Sequence, residues 1–173
     1  TDTDTDTKTD TSPPAPVWLD TRSGLTWQQF NWHTHRYFTW EEARQYCNQL
    51  DYNGNTDWRV PSVGELRSLV RGCAAISTGG PCKMDDDCMD LSCLNADCYQ
   101  GCSDAPNKGP GYDGCYWPAE LRDVLNMCGG PYWSSSDPKD RPDNMVEVVS
   151  FAYGRIYRTT SSETDRVRCV RGP

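Results

Sequence analysis

Ten cysteines are the most reactive side chains of this 173-residue chain, and their spacing decides which chemistry is open to them. Eight fall in one stretch, at Cys73, Cys82, Cys88, Cys93, Cys98, Cys102, Cys115 and Cys128, and no two of them form a Cys-x-x-Cys pair. Zinc sites and thioredoxin-like redox centres favour that close pair, so oxidation to disulfides is the chemistry expected here. The other two, Cys47 and Cys169, lie far apart in the chain. The first sits on a predicted helix and the second on a predicted final strand, so a disulfide between them would tie the start of a compact domain to its end. Sequence chooses none of the pairings inside the cysteine-rich stretch.

The remaining candidates are polar or aromatic. Asp85, Asp86 and Asp87, with Asp90 and Asp97 nearby, offer the hard oxygens that Ca²⁺ takes from a flexible loop, although the sixth-position glycine and closing glutamate of an EF-hand are missing. A solvated acidic loop is the default, no cofactor is required, and Ca²⁺ is the cation such a loop would hold. His33 and His35 would share one face of a strand, but their word contains no further ligand, so an exposed loop is expected. Ser134 has no Gly-x-Ser-x-Gly elbow and no evident base with an orienting acid, which leaves it unconvincing as a nucleophile. Tyr99, Tyr112, Tyr116 and Trp117 could stack on sugar rings or on a protein partner, with a role as a substitute core for the cysteine-rich stretch as the competing reading.

Composition sets the compartment and excludes several classes. Ten cysteines and seven tryptophans at a mean hydropathy of −0.79 indicate an oxidising environment, where bridges supplement a modest apolar interior. The expected location is secreted or on a cell surface. No run of about 18 apolar residues is present to span a bilayer. The chain opens at Thr1 without an initiator Met, which reads as a processed or trimmed mature form. A net charge of −8 argues against nucleic acid, whose phosphates it would repel. Residues 1–12 and 82–104 are acidic, whereas Arg155, Arg158, Arg166, Arg168 and Arg171 make residues 150–173 basic. That asymmetry can steer a partner or a second copy of the chain.

Elements that could position these groups follow from local pattern. Residues 1–16 read as a Thr/Asp- and Pro-rich tail or linker, with Thr1, Thr3, Thr5, Thr7, Thr9 and Thr11 as candidate glycosylation sites. Its period-two alternation would also suit capture by a neighbouring sheet edge. Val17-Trp-Leu-Asp20 and Leu25-Thr-Trp27 read as a strand pair turning at Gly24. Capping boxes at Thr39/Glu42 and Ser62/Glu65 predict two helices, the first presenting Trp40, Ala43 and Cys47 inward. Pro118 to Asn126 predicts a third. Met145–Phe151, Gly154–Thr160 and Arg166–Arg171 read as three antiparallel strands, and Tyr132 to Ser136 as a further strand. The expectation is an α+β domain over residues 17–173, interrupted by a disulfide-stapled insertion over residues 73–128.

Five words in order now carry a resemblance: Asp20-Thr-Arg-Ser-Gly-Leu-Thr-Trp27; Trp40-x-x-Ala43-x-x-Tyr46-Cys47-x-x-Leu50; Asp57-Trp-Arg-Val-Pro-Ser62 with Glu65-Leu66; Tyr132-Trp-Ser-Ser-Ser136; and Val167-Arg-Cys-Val-Arg171. The chain resembles a bacterial family known as DUF1566 or the Lcl C-terminal domain, named for the end domain of a collagen-like adhesin. The words leave the tail and the insertion uncovered. The resemblance implies a fold like that of C-type lectins and formylglycine-generating enzymes, with a disulfide from helix to last strand. It also implies a structural role for Asp57-Trp58-Arg59, in which Arg59 pairs with a carboxylate and Trp58 packs.

The function expected is a non-enzymatic extracellular binding or adhesion module contacting a glycan or protein ligand through its insertion. The alternative is a self-assembling filament subunit whose acidic tail docks on Arg155, Arg158, Arg166 and Arg168 of the next copy. An oxidase like the formylglycine-generating enzymes comes third, because no nucleophile, base and orienter can be assigned together.

Overall fold

The computed structural model describes residues 17–29, 36–121, 127–135 and 144–172. The Thr/Asp tail with its six threonines, His33 and His35, and residues 122–126 of the expected third helix lie outside the described residues.

Two short strands, β1 (Val17–Leu19) and β2 (Thr26–Gln28), form an antiparallel hairpin, and the terminal strand β6 (Val170–Arg171) pairs with β2. A second antiparallel sheet contains β3 (Pro131–Trp133), β4 (Met145–Ser150) and β5 (Arg155–Thr160), with β4 central. Helix α1 (Trp40–Asn48) and helix α2 (Val63–Ser68) each start at a complete capping box, and a short helix α3 (Ala96–Gln100) lies in the cysteine-rich stretch. The chain is therefore a mixed α/β structure with two small antiparallel sheets. Two expectations change. Residues 166–171 do not form a third antiparallel strand beside β5: Arg166 makes a single parallel bridge to Tyr132 of β3, and the last two residues close the first sheet, where Val170 exchanges backbone hydrogen bonds with Arg59 as well as pairing with Trp27. Pro118–Leu121 make a turn instead of a first helical turn.

The register of the β3–β4–β5 sheet places Tyr132, Val149 and Ile156 on one face and Trp133, Val146 and Val148 on the other. Those faces feed two separate cores. The second set joins Trp40, Ala43 and Cys47 of α1 with Trp58, Val167 and Cys169. The first set joins Val63 and Leu66 of α2 with Trp27 and with Ile76, Met84, Leu94, Trp117 and Leu121 from the insertion. The insertion is therefore no appendage: it supplies much of one core.

All ten cysteines are bridged. Cys47 joins Cys169 across 122 residues, while the insertion closes on itself through Cys73–Cys102, Cys82–Cys98, Cys88–Cys93 and Cys115–Cys128. Three of those bridges are nested. The amide N–H groups of Cys102, Asn107 and Tyr116 donate to the carbonyls of Tyr153, Ala152 and Phe151, so the backbone of the insertion is hydrogen-bonded to the turn between β4 and β5.

Candidate binding furrow

Strand β5 alternates Arg155, Tyr157 and Thr159 along one side, and α3 ends beside it. The turn at Phe151–Gly154 brings Tyr153 to the same place, and Tyr99 of α3 meets it from the insertion. Together with Gly130, Pro131 and Ser150 they line an open furrow of about 580 Å³. A hollow of about 390 Å³ shares Pro131, Tyr157 and Arg158 and adds Met145, Thr160, Glu163 and Asp165.

The furrow walls are held by charge. Arg155 stacks on the Tyr153 ring at 4.9 Å and donates to the carbonyls of Gln100 (3.2 Å) and Ser103 (3.1 Å), which ties α3 to β5. Arg158 donates through Nε to Glu147 at 2.8 Å and through Nη2 to the Met89 carbonyl. Glu147 is fully buried, so this ion pair is structural. Tyr99 is 49 % exposed and presents an open aromatic face. Burial, and then the charge of Asp165, push the Tyr157 phenol up to about 12, so it remains a neutral hydrogen-bonding group. Burial, and then Glu163, push the Asp165 carboxyl up to about 6. Phenols, aromatic faces and fixed guanidiniums suit a ligand that is stacked and hydrogen-bonded.

Of the other aromatic candidates, Tyr112 is exposed but lies outside the furrow lining. Tyr116 and Trp117 are not surface platforms: both are buried, and the Trp117 ring packs on Phe151 at 5.4 Å and Tyr132 at 5.9 Å. The expected basic docking face also dissolves. Arg166 donates to the Tyr37 hydroxyl, and Arg168, 1 % exposed, lies over the rings of Trp117 (4.9 Å) and Tyr132 (5.7 Å) while donating to the Gln28 carbonyl. These cations hold the interior together. In a scattered-charge view of the sequence they were indistinguishable from surface arginines.

The aspartate run is engaged as well. Asp85 pairs with Arg67 at 3.0 Å, and Asp86 accepts from the Ser62 hydroxyl (2.7 Å) and the Gly64 amide (2.9 Å) at the start of α2. Asp87 is exposed. Among the described residues no group of three or more His, Cys, Asp or Glu is placed to hold a metal ion. Ser134 is fully buried behind β3. Asp57-Trp58-Arg59 is structural: Arg59 makes a two-pronged pair with Glu65 (2.7 and 2.5 Å), Trp58 packs in the core, and Asp57 meets Arg171 at 2.6 Å.

Sequence reasoning named Tyr99 but missed Tyr153 and Tyr157. The signal for Tyr157 was present in the alternation of β5, whereas Tyr153 depends on how the insertion meets the turn, which no local pattern carries.

Among the described residues no helix is long and apolar enough to cross a membrane. No curated protein matches the chain. The family model of the Lcl C-terminal domain matches it over residues 17–171, a span that runs through the insertion as well as through the five recognised words. With that match extending over most of its length, the chain belongs to the Lcl C-terminal domain (DUF1566) family.

Proposed function

We propose that the chain is a non-enzymatic extracellular binding module of C-type-lectin-like architecture that holds a glycan in the tyrosine furrow. The observation that carries this reading is the convergence of Tyr99, Tyr153 and Tyr157 on one open furrow from three different segments. Sugar rings present C–H faces to aromatic rings and hydroxyls to phenols and guanidiniums, and the furrow supplies both kinds of contact. Five disulfides, nested where the insertion must stay rigid, support an oxidising extracellular setting.

The test is a glycan array followed by titration calorimetry on the best ligand. Tyr99→Ala, at an exposed position, leaves the circular dichroism spectrum unchanged and weakens binding at least tenfold, on the order of 1.4 kcal/mol. Array-wide silence, or wild-type affinity in Tyr99→Ala and Tyr153→Ala alike, would defeat this reading.

A second reading is a filament subunit. Strand β1 is an edge strand of its sheet, Leu19 on it is 55 % exposed, and an alternating Thr/Asp segment could add to such an edge from a neighbouring copy. Electron microscopy of the native material separates the two, since filaments of this kind are lost when residues 1–12 are removed.

A further inference from the structure

A separate groove of about 590 Å³ opens between the β1–β2 hairpin, the segment following α2 and the end of the insertion. Half-buried Trp18 forms one wall, Arg22 and Arg71 contribute two guanidiniums, and Pro118 and Glu120 close the insertion side. Unlike Arg67 and Arg158, which pair with Asp85 and Glu147, these two have no carboxylate in ion-pair contact among the described residues. Arg71 donates through Nη1 to the carbonyls of Ser68 (2.6 Å) and Val70 (3.0 Å), and the exposed Arg22 side chain makes no hydrogen bond among the described residues. The nearby Asp20 carboxylate is taken by its own turn, accepting from the Arg22 amide and the Ser23 hydroxyl at 3.0 Å each. Burial first, and then the charge of Arg22, push the Arg71 guanidinium down, with Asp20 and Glu120 opposing. Two guanidiniums thus share a groove with Glu120, and neither is in ion-pair contact with a carboxylate among the described residues.

From this arrangement we infer that the groove is a subsite for an acidic sugar residue, its carboxylate received by Arg22 and Arg71, its ring face against Trp18 and a hydroxyl donated to Glu120. Guanidiniums match a carboxylate in geometry as well as charge. An aspartate-rich peptide shares the carboxylate chemistry but is the poorer fit, because it brings no apolar ring face to Trp18. The subsite goes with the glycan-binding reading but occupies a different groove, so the two can fail independently.

The experiment is calorimetry on the full chain with a disaccharide containing glucuronic acid, its neutral glucose counterpart, and a peptide of sequence TDTDTDTK. The uronate binds at least tenfold more tightly than the neutral sugar, and its affinity falls as salt is raised. Arg22→Gln and Arg71→Gln each weaken the uronate at least fivefold, while Tyr99→Ala does not change it. Arg22 is exposed at a turn, so Arg22→Gln keeps the test valid should Arg71→Gln misfold. Equal binding of the two sugars, an unchanged Arg22→Gln, or saturation by the peptide alone overturns the assignment.

Discussion

Arg67 shows how one side chain can organise a segment that has little apolar content. It is 2 % exposed, and its guanidinium donates to the carbonyls of Ile76 (3.0 Å), Ser77 (2.8 Å), Cys82 (3.1 Å) and Met84, with Asp85 alongside. Only a planar five-donor group can satisfy so many acceptors from one position, so lysine is no substitute. Arg67→Lys and Arg67→Met are each expected to cost about 3–5 kcal/mol, because buried carbonyls lose their donors. Denaturant unfolding with the disulfides intact measures this; a loss below about 1 kcal/mol would mean that water replaces the guanidinium. Asp165 gives the opposite kind of effect. Burial and Glu163 raise its carboxyl to about 6, with the charge of Arg166 opposing and Tyr157 beside it. A raised carboxyl binds its proton more tightly when folded, so its contribution favours the folded state at acid pH and is lost as pH rises from about 4 to about 6. Asp165→Asn should therefore be more stable than the parent at pH 8 and equal to it near pH 3.5. Melting temperatures across that range provide the check, and a difference that grows toward acid would refute the assignment.

At the level of elements, local chemistry was the most legible. Thr39 accepts from the Glu42 amide while Glu42 reaches back to the Thr39 amide at 2.8 Å, and Ser62 and Glu65 repeat the device, so both helices begin where the capping boxes place them. The β1–β2 hairpin and β4 and β5 were likewise readable from alternation and turn residues. What could not be read was long-range. Val167-Arg-Cys-Val-Arg171 has the look of a third strand beside β5, yet Val170 pairs with Trp27 and Arg59, a choice made by packing that no spacing encodes. The candidate site divides the same way: Tyr99 stands out in its own stretch, but its meeting with Tyr153 depends on Gly101 and Gly154, where α3 and the β4–β5 turn touch. A Cβ at Gly101, at φ +61°, would overlap the Gly154 carbonyl oxygen. Helix α2 carries the sharper test, because the Ser62 hydroxyl both caps the helix and binds Asp86 of the insertion. Ser62→Ala should cost about 1–2 kcal/mol, more than the roughly 1 kcal/mol of Thr39→Ala, whose hydroxyl, among the described residues, serves its own capping box. Thermal unfolding of the two variants side by side decides it, and equal losses would mean that the Asp86 contact contributes nothing.

For the molecule as a whole, the question is whether body and insertion are two stability units or one. Nested bridges would suffice to make a small independent knot, and the lack of any disulfide from the insertion to the body points that way. The packing points the other way, and its magnitude is larger. Ile76, Met84, Leu94, Trp117 and Leu121 are buried against Val63, Leu66, Trp27 and the β4–β5 sheet, and at about 1.5–3 kcal/mol for each large apolar side chain the shared core outweighs any single bridge of about 2–4 kcal/mol. Removing residues 82–102 would expose that core, so a deletion cannot serve as a clean binding control. Two observables separate the alternatives. Native-state hydrogen exchange should give the amides of Cys102, Asn107 and Tyr116, which donate to the β4–β5 turn, the same opening free energy as the central amides of β4. Cys47→Ala/Cys169→Ala, which opens a 122-residue loop worth about 5 kcal/mol in the chain-entropy account, should lower protection in body and insertion together. Insertion amides that keep their protection while those of β4 lose theirs would show that the stapled stretch folds on its own and that the shared core contributes little to holding the two together.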